Sequence, residues 1–189
     1  MKWWGFLSLL WPLAASADEM VSVCYNYGCQ TQADVRYSEA QLAEVRLALA
    51  SATDAAQERE VIARVIGQLL GWAGEQSPIK ADRGGNVADA GVSGRMDCID
   101  HSTTTTRLLQ MLNARGLLRF HRVLEPALRH RFLIFDHFSG LIEEKSGGES
   151  GVVPPARFVV DSWFFDNGHP AAVLPLAYWM SGGGPESNE

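Results

Sequence analysis

Arg95-Met96-Asp97-Cys98-Ile99-Asp100-His101, continuing through Thr103-Thr104-Thr105-Thr106 to Arg115-Gly116, is the hinge of this 189-residue chain. Asp97 has the short acceptor side chain of a helix N-cap, and Gly116 suits the residue that ends a helix. The spacing predicts one helix between them. Four threonines are poor helix formers, so this helix must be held by burial rather than by its own propensity. Working outward, the chain before it is helical in texture and the chain after it is β.

Before it, Ser38 and Gln41 form a capping box, followed by Leu42, Val45 and Leu49 at helical spacing. Asp54 and Gln57 repeat the pattern, and Val61, Ile62, Val65, Ile66, Leu69 and Leu70 form an apolar stripe that ends near Gly71. Residues 74–94 are rich in Gly, Asp, Ser and Ala and read as a long loop, which a compact domain seldom carries without a functional reason. After the central helix, 117–124, 132–143 and 157–163 are rich in Phe, Val, Ile and Leu, and 145–155 reads as a hairpin tip. Residues 18–37 show no clear periodicity, Asn167-Gly168 is a turn, and 181–189 is a flexible tail. The expected fold is α+β, with N-terminal helices packed on an antiparallel sheet in a single domain over 18–180.

Composition narrows the function. Apolar residues make up 47% and charged residues 20%, enough for a packed core and too little charge for disorder. A formal charge of −6 argues against a nucleic-acid partner. Met1-Lys2, the apolar run from Trp3 and the small residues Ala15-Ser16-Ala17 have the layout of a signal peptide cut after Ala17. The run is too short to span a bilayer. The expectation is an exported protein, periplasmic or secreted, without a membrane span.

In such a compartment exposed thiols pair, and the chain has three. Cys24 and Cys29, with Asn26 and Gly28 between them, can close a local disulfide. Cys98 is left over. It lies one residue after the helix cap, where the macrodipole and free N–H groups favour a thiolate and can receive an oxyanion. The Cys98 N–H is one candidate oxyanion donor, and a group from 74–94 is the other. A thiolate nucleophile needs a base, and the base needs an orienting acceptor. His137 and Asp161 lie on segments that adjacent antiparallel strands can set side by side, although His130 competes for the same role. Asp97, Asp100, His101 and Trp163 are candidates for lining the site. Two other readings stay open: a catalytically silent binding module, and a metal site built from Cys98 and His101 with His121 or His169.

Met96-Asp97-Cys98-Ile99-Asp100-His101, Asp136-His137-Phe138 and Phe158-Val159-Val160-Asp161 occur in the order of a nucleophile, a strand-borne histidine and an orienting acid. In this the chain resembles the bacterial transglutaminase-like cysteine peptidases of the papain-like fold, whose central helix opens on a Gly-Asp-Cys-Glu-Asp run. The likeness covers 95–179. It implies that Cys98 attacks an acyl carbon, His137 shuttles the proton and Asp161 orients the imidazole. The implied activity is hydrolysis of a peptide, isopeptide or amide bond, or acyl transfer to an amine, by a monomer acting on a protein or peptide substrate. No cofactor is implied beyond a weak calcium site near Asp97. There Ile99 replaces the family's second acid and Met96 its glycine.

Overall fold

The computed structural model describes residues 17–85, 88–131, 135–145 and 154–185. Nearly all of the expected signal peptide, most of the 145–155 hairpin tip and the last four residues of the tail lie outside the described residues. Strands β1 (Glu19–Tyr25) and β2 (Thr31–Tyr37) come first, then helices α1 (Glu39–Ala50), α2 (Ala55–Gln76) and α3 (Cys98–Ala114). Strands β3 (His121–Arg131), β4 (Phe135–Glu144), β5 (Arg157–Asp161) and β6 (Ala172–Pro175) follow, and α4 (Leu176–Met180) closes the order. The architecture is α+β, as the sequence predicts. Among the described residues it holds two antiparallel sheets, the hairpin β1-β2 and a sheet ordered β3-β4-β5-β6.

The caps read from the sequence all form. Ser38, Asp54 and Asp97 each accept the backbone N–H three residues on, from Gln41, Gln57 and Asp100. Gly116 takes φ +68° beyond the end of α3, where its N–H reaches back to Asn113. The threonines behave as expected, with Thr104 and Thr105 fully buried. Helix α3 packs against β1 of the first sheet and against β3, β4 and β5 of the second. Leu108, Leu109 and Leu112 share a core with Val23, Val35, Ile62, Ile66, Ile142 and Val160. Each such side chain contributes about 1.5–3 kcal/mol by burial.

Four sequence expectations change. Residues 18–37 are a β-hairpin, with Val21, Val23, Val35 and Tyr37 pointing into the core while Met20, Gln32, Asp34 and Arg36 face solvent. The helix expected to end near Gly71 runs to Gln76. Its glycines are there for contact: a Cβ on Gly67 would lie 2.4 Å from the His169 carbonyl oxygen, and one on Gly74 would lie 2.6 Å from Asn167 Oδ1. The turn at 167–170 therefore lies directly on α2. The strand expected from 117 begins at His121, because Leu117 donates to Leu112 and closes the end of α3. The expected tail is hydrogen-bonded as far as 184: Gly182 and Gly183 donate to Trp179 and Tyr178, and the Tyr178 hydroxyl donates to Gly184.

The expected loop 74–94 contains the end of α2, a short 3-10 turn (Pro78–Ala81) and a strap across the start of α3. Gly94 holds that strap at φ +87°, and a Cβ there would lie 2.0 Å from the Pro78 carbonyl oxygen. Gly94→Ala is therefore expected to cost about 3 kcal/mol or more, through strained backbone and backbone overlap together. Urea unfolding, compared with Gly85→Ala, where φ is +66° but the space is open, separates the overlap from the strain.

Candidate active site

Cys98 is the first residue of α3, set there by the Asp97 cap, and it is half-buried. Its thiol lies 3.6 Å from the Asp136 carbonyl oxygen on the neighbouring strand β4. His137 follows on β4, and its side chain interacts electrostatically with the Cys98 side chain. His137 Nε2 lies 2.7 Å from Asp161 Oδ2, at the end of β5. With Nε2 on the acid, Nδ1 is the ring nitrogen left to face the thiol. The three residues named from the sequence therefore meet, each from a different element.

Burial of His137 disfavours its charged form, but hydrogen bonds to Asp161 and Cys98, and the charges of both, outweigh this and push its pKa up to about 9. A histidine held this way is an imidazolium at neutral pH, paired on both sides. Aromatic rings enclose it: Trp163 at 4.9 Å, Trp179 at 5.6 Å and Phe164 at 5.8 Å between centroids. Trp163 stands against the His137 ring, and its backbone N–H also donates to Asp161 Oδ1.

The other candidates take supporting places. His101 is buried, with Nδ1 2.9 Å from Ser162 Oγ and Nε2 3.0 Å from Asp82 Oδ2. Asp82 accepts the Met96 N–H through its other oxygen, so this chain of contacts ties the strap, α3 and the residue after Asp161 together. His101 is thus a brace behind the site rather than part of its lining. His130 pairs with Asp136 at the surface, and does not stand in for His137.

Asp97 and Asp100 hold the tip of the β1-β2 hairpin. Asn26, Tyr27, Gly28 and Cys29 all take left-handed φ, between 55° and 67°, a conformation that costs a non-glycine residue about 1–2 kcal/mol. The disulfide between Cys24 and Cys29 closes this turn. Its N–H groups point at α3: Tyr27 and Cys29 donate to Asp100 and Gly28 donates to Asp97. Asp97 and Asp100 also cap one another's backbone. Tyr27 reaches on to Asp89, which pairs with Arg95. Asn26 and Gly28, the residues the sequence offers for a turn between the cysteines, both lie in it, and Tyr27 and Cys29 join them in left-handed backbone.

These contacts decide the fit of cations. All four carboxylate oxygens of Asp97 and Asp100 already accept backbone N–H bonds, and Ile99 supplies no ligand. A calcium ion needs six to eight oxygens free to turn toward it, so the residues here do not fit one. The metal site considered with Cys98 and His101 is not assembled. His121 is buried against Glu58, and His169 is exposed in its turn. Among the described residues, the one cluster with ligand atoms close enough for an ion is Cys24, Cys29 and Asp100, whose cysteines are joined in the disulfide. Among the described residues, no helix is long and apolar enough to cross a membrane.

Comparison with known proteins gives no match, whether with family models, curated proteins or solved structures.

Proposed function

We propose that the protein is an exported cysteine-dependent hydrolase of the transglutaminase-like, papain-like kind, which cleaves a peptide, isopeptide or amide bond through a thioester. The observation that carries this reading is the convergence of three groups: His137 is hydrogen-bonded to Asp161 and interacts electrostatically with Cys98, whose thiol sits at a helix N-terminus. The Cys98 thiolate adds to the carbonyl carbon, and the oxyanion forms beside the N–H groups of the first turn of α3. His137 gives its proton to the departing amine as the C–N bond breaks, leaving an S-acyl enzyme. Water then attacks, gives a proton back to His137, and the acid departs from the thiolate. An amine in place of water would make the enzyme a transferase. The substrate is a protein or peptide of the cell envelope, and the enzyme acts as a monomer. The disulfide suits the oxidising compartment that the signal peptide implies.

The general acid must be protonated, and His137 holds its proton up to about pH 9. Amidase activity on a peptide-anilide library is therefore expected to persist through neutral pH and fall as pH rises through about 9. An upper limb near the ordinary imidazole value, about 6.5, or turnover indifferent to His137→Gln, overturns the reading. The same raised pKa contributes stability that is fully present below the unfolded histidine value and lost as pH rises through the folded one. A primary amine added to the assay distinguishes hydrolysis from transfer by the product formed.

A further inference from the structure

Asp161, almost fully buried at 1% exposure, needs more than His137 to hold its orientation. Its Oδ1 accepts the Trp163 backbone N–H, a bond within the same short stretch of chain. Its Oδ2 accepts two bonds, from His137 and from Trp179 Nε1 at 3.0 Å. Trp179 is fully buried at the end of α4, and its ring is tilted 39° against the His137 ring. It belongs to the segment just before the tail expected from 181.

That segment is clamped. Arg129, nearly buried in β3, lies over the Trp179 ring with its guanidinium carbon 4.5 Å from the centroid. One of its nitrogens donates to two carbonyls, Trp179 O at 2.6 Å and Gly183 O at 2.8 Å. Arg129 is also the register partner of His137 across β3-β4. One arginine thus holds the tryptophan from the strand beside the histidine, while the tryptophan holds the acid that the histidine uses. A buried indole N–H takes the partner that its position offers. Here the partner is the oxygen that meets the imidazole.

We propose that Trp179 is a positioning residue for the reaction: its indole N–H fixes the Asp161 carboxylate so that Oδ2 stays aimed at His137, and Arg129 locks it there. The inference rests on the cysteine-hydrolase reading for its meaning, but its geometry can be tested apart from turnover.

Trp179→Phe keeps an aromatic ring under Arg129 and removes the N–H together with part of the buried indole. The first readout is the His137 ring titration by 15N-edited NMR, in the full chain with Cys98→Ala so that no thiolate contributes. With the carboxylate free to rotate, the His137 midpoint is expected to fall by about half to one unit in Trp179→Phe, read at a temperature where the variant, destabilised by its smaller buried ring, remains folded. An unchanged midpoint overturns the positioning role. A rise overturns it too, because the N–H would then only be screening the acid's charge. The second readout is amidase kcat and KM with Cys98 intact. Trp179→Phe is expected to lower kcat about 3- to 10-fold with KM near the parent value, whereas a KM change alone overturns the inference. If the parent enzyme shows no amidase activity, the hydrolase reading falls, and the titration still decides what Trp179 does to His137.

Discussion

Cys98→Ala is expected to remove thiol-dependent turnover altogether, a loss of about 10⁴-fold or more. The melting temperature should barely move, because the side chain is half-buried and its hydrogen-bond contact with the Asp136 carbonyl is long, at 3.6 Å. His137→Gln should lose nearly as much, and the double variant no more than either single one, because nucleophile and base act as a unit. Iodoacetamide separates the roles. In the parent, Cys98 should alkylate at neutral pH faster than free cysteine, since it stands beside the His137 ring at a helix N-terminus. In His137→Gln the rate should drop towards that of an isolated thiol. Equal rates in parent and variant would show that the imidazole does not act on the sulfur.

Asp100→Ala is expected to be the costliest change to stability near the site. The side chain is fully buried and accepts the N–H groups of Tyr27, Cys29 and Asp97. Removing it leaves three donors without this acceptor, each costing about 1–3 kcal/mol if buried and unpaired. Because such costs do not add fully, a total of about 3–5 kcal/mol is expected by chemical denaturation. The left-handed turn should then depend on its disulfide and the remaining bonds from Asn26 and Gly28, so a mild reductant should unfold the variant at a concentration that the parent tolerates. Burial pushes the Asp100 pKa up to about 6, with the like charge of Asp97 adding to it against the N–H bonds. A carboxyl raised in this way contributes stability that is fully present below its unfolded value and lost as pH rises through about 6. Asp100→Asn should remove that part of the pH dependence between pH 4 and pH 7. A profile identical to the parent's would contradict the placement of Asp100.

The legible parts of the fold were those written in local chemistry. Asp97, Ser38 and Asp54 carry their helix starts in a single side chain, and Gly116 carries its stop in its freedom to take positive φ. Cys98, His137 and Asp161 could be named because a nucleophile, a base and an acid must occur together. Their convergence could not be read, because it depends on the pairing of β4 with β5 and on α3 lying across both. The β1-β2 hairpin was missed although Val21, Val23, Val35 and Tyr37 alternate. Polar neighbours and four successive left-handed residues hid the pattern, since only Asn26 and Gly28 of the four are residue types that favour that backbone. The glycines of α2 misled for a related reason. Gly67, Gly71 and Gly74 look like helix stops, yet they make room for a turn that arrives about a hundred residues later. Trp179 was out of reach because its partners, Asp161 and Arg129, are distant in sequence and it stands in no motif.

The most direct test of the central claim is to look for the acyl-enzyme. The parent should release p-nitrophenolate from p-nitrophenyl acetate in a burst equal to the enzyme present. Intact-mass and peptide mapping after acid quench should place one acetyl group on Cys98. That acetyl group should be absent from Cys98→Ala and much slower to form in His137→Gln. A parent that shows no burst, or an acetyl group that maps to lysines and appears equally in both variants, would contradict nucleophilic catalysis by Cys98.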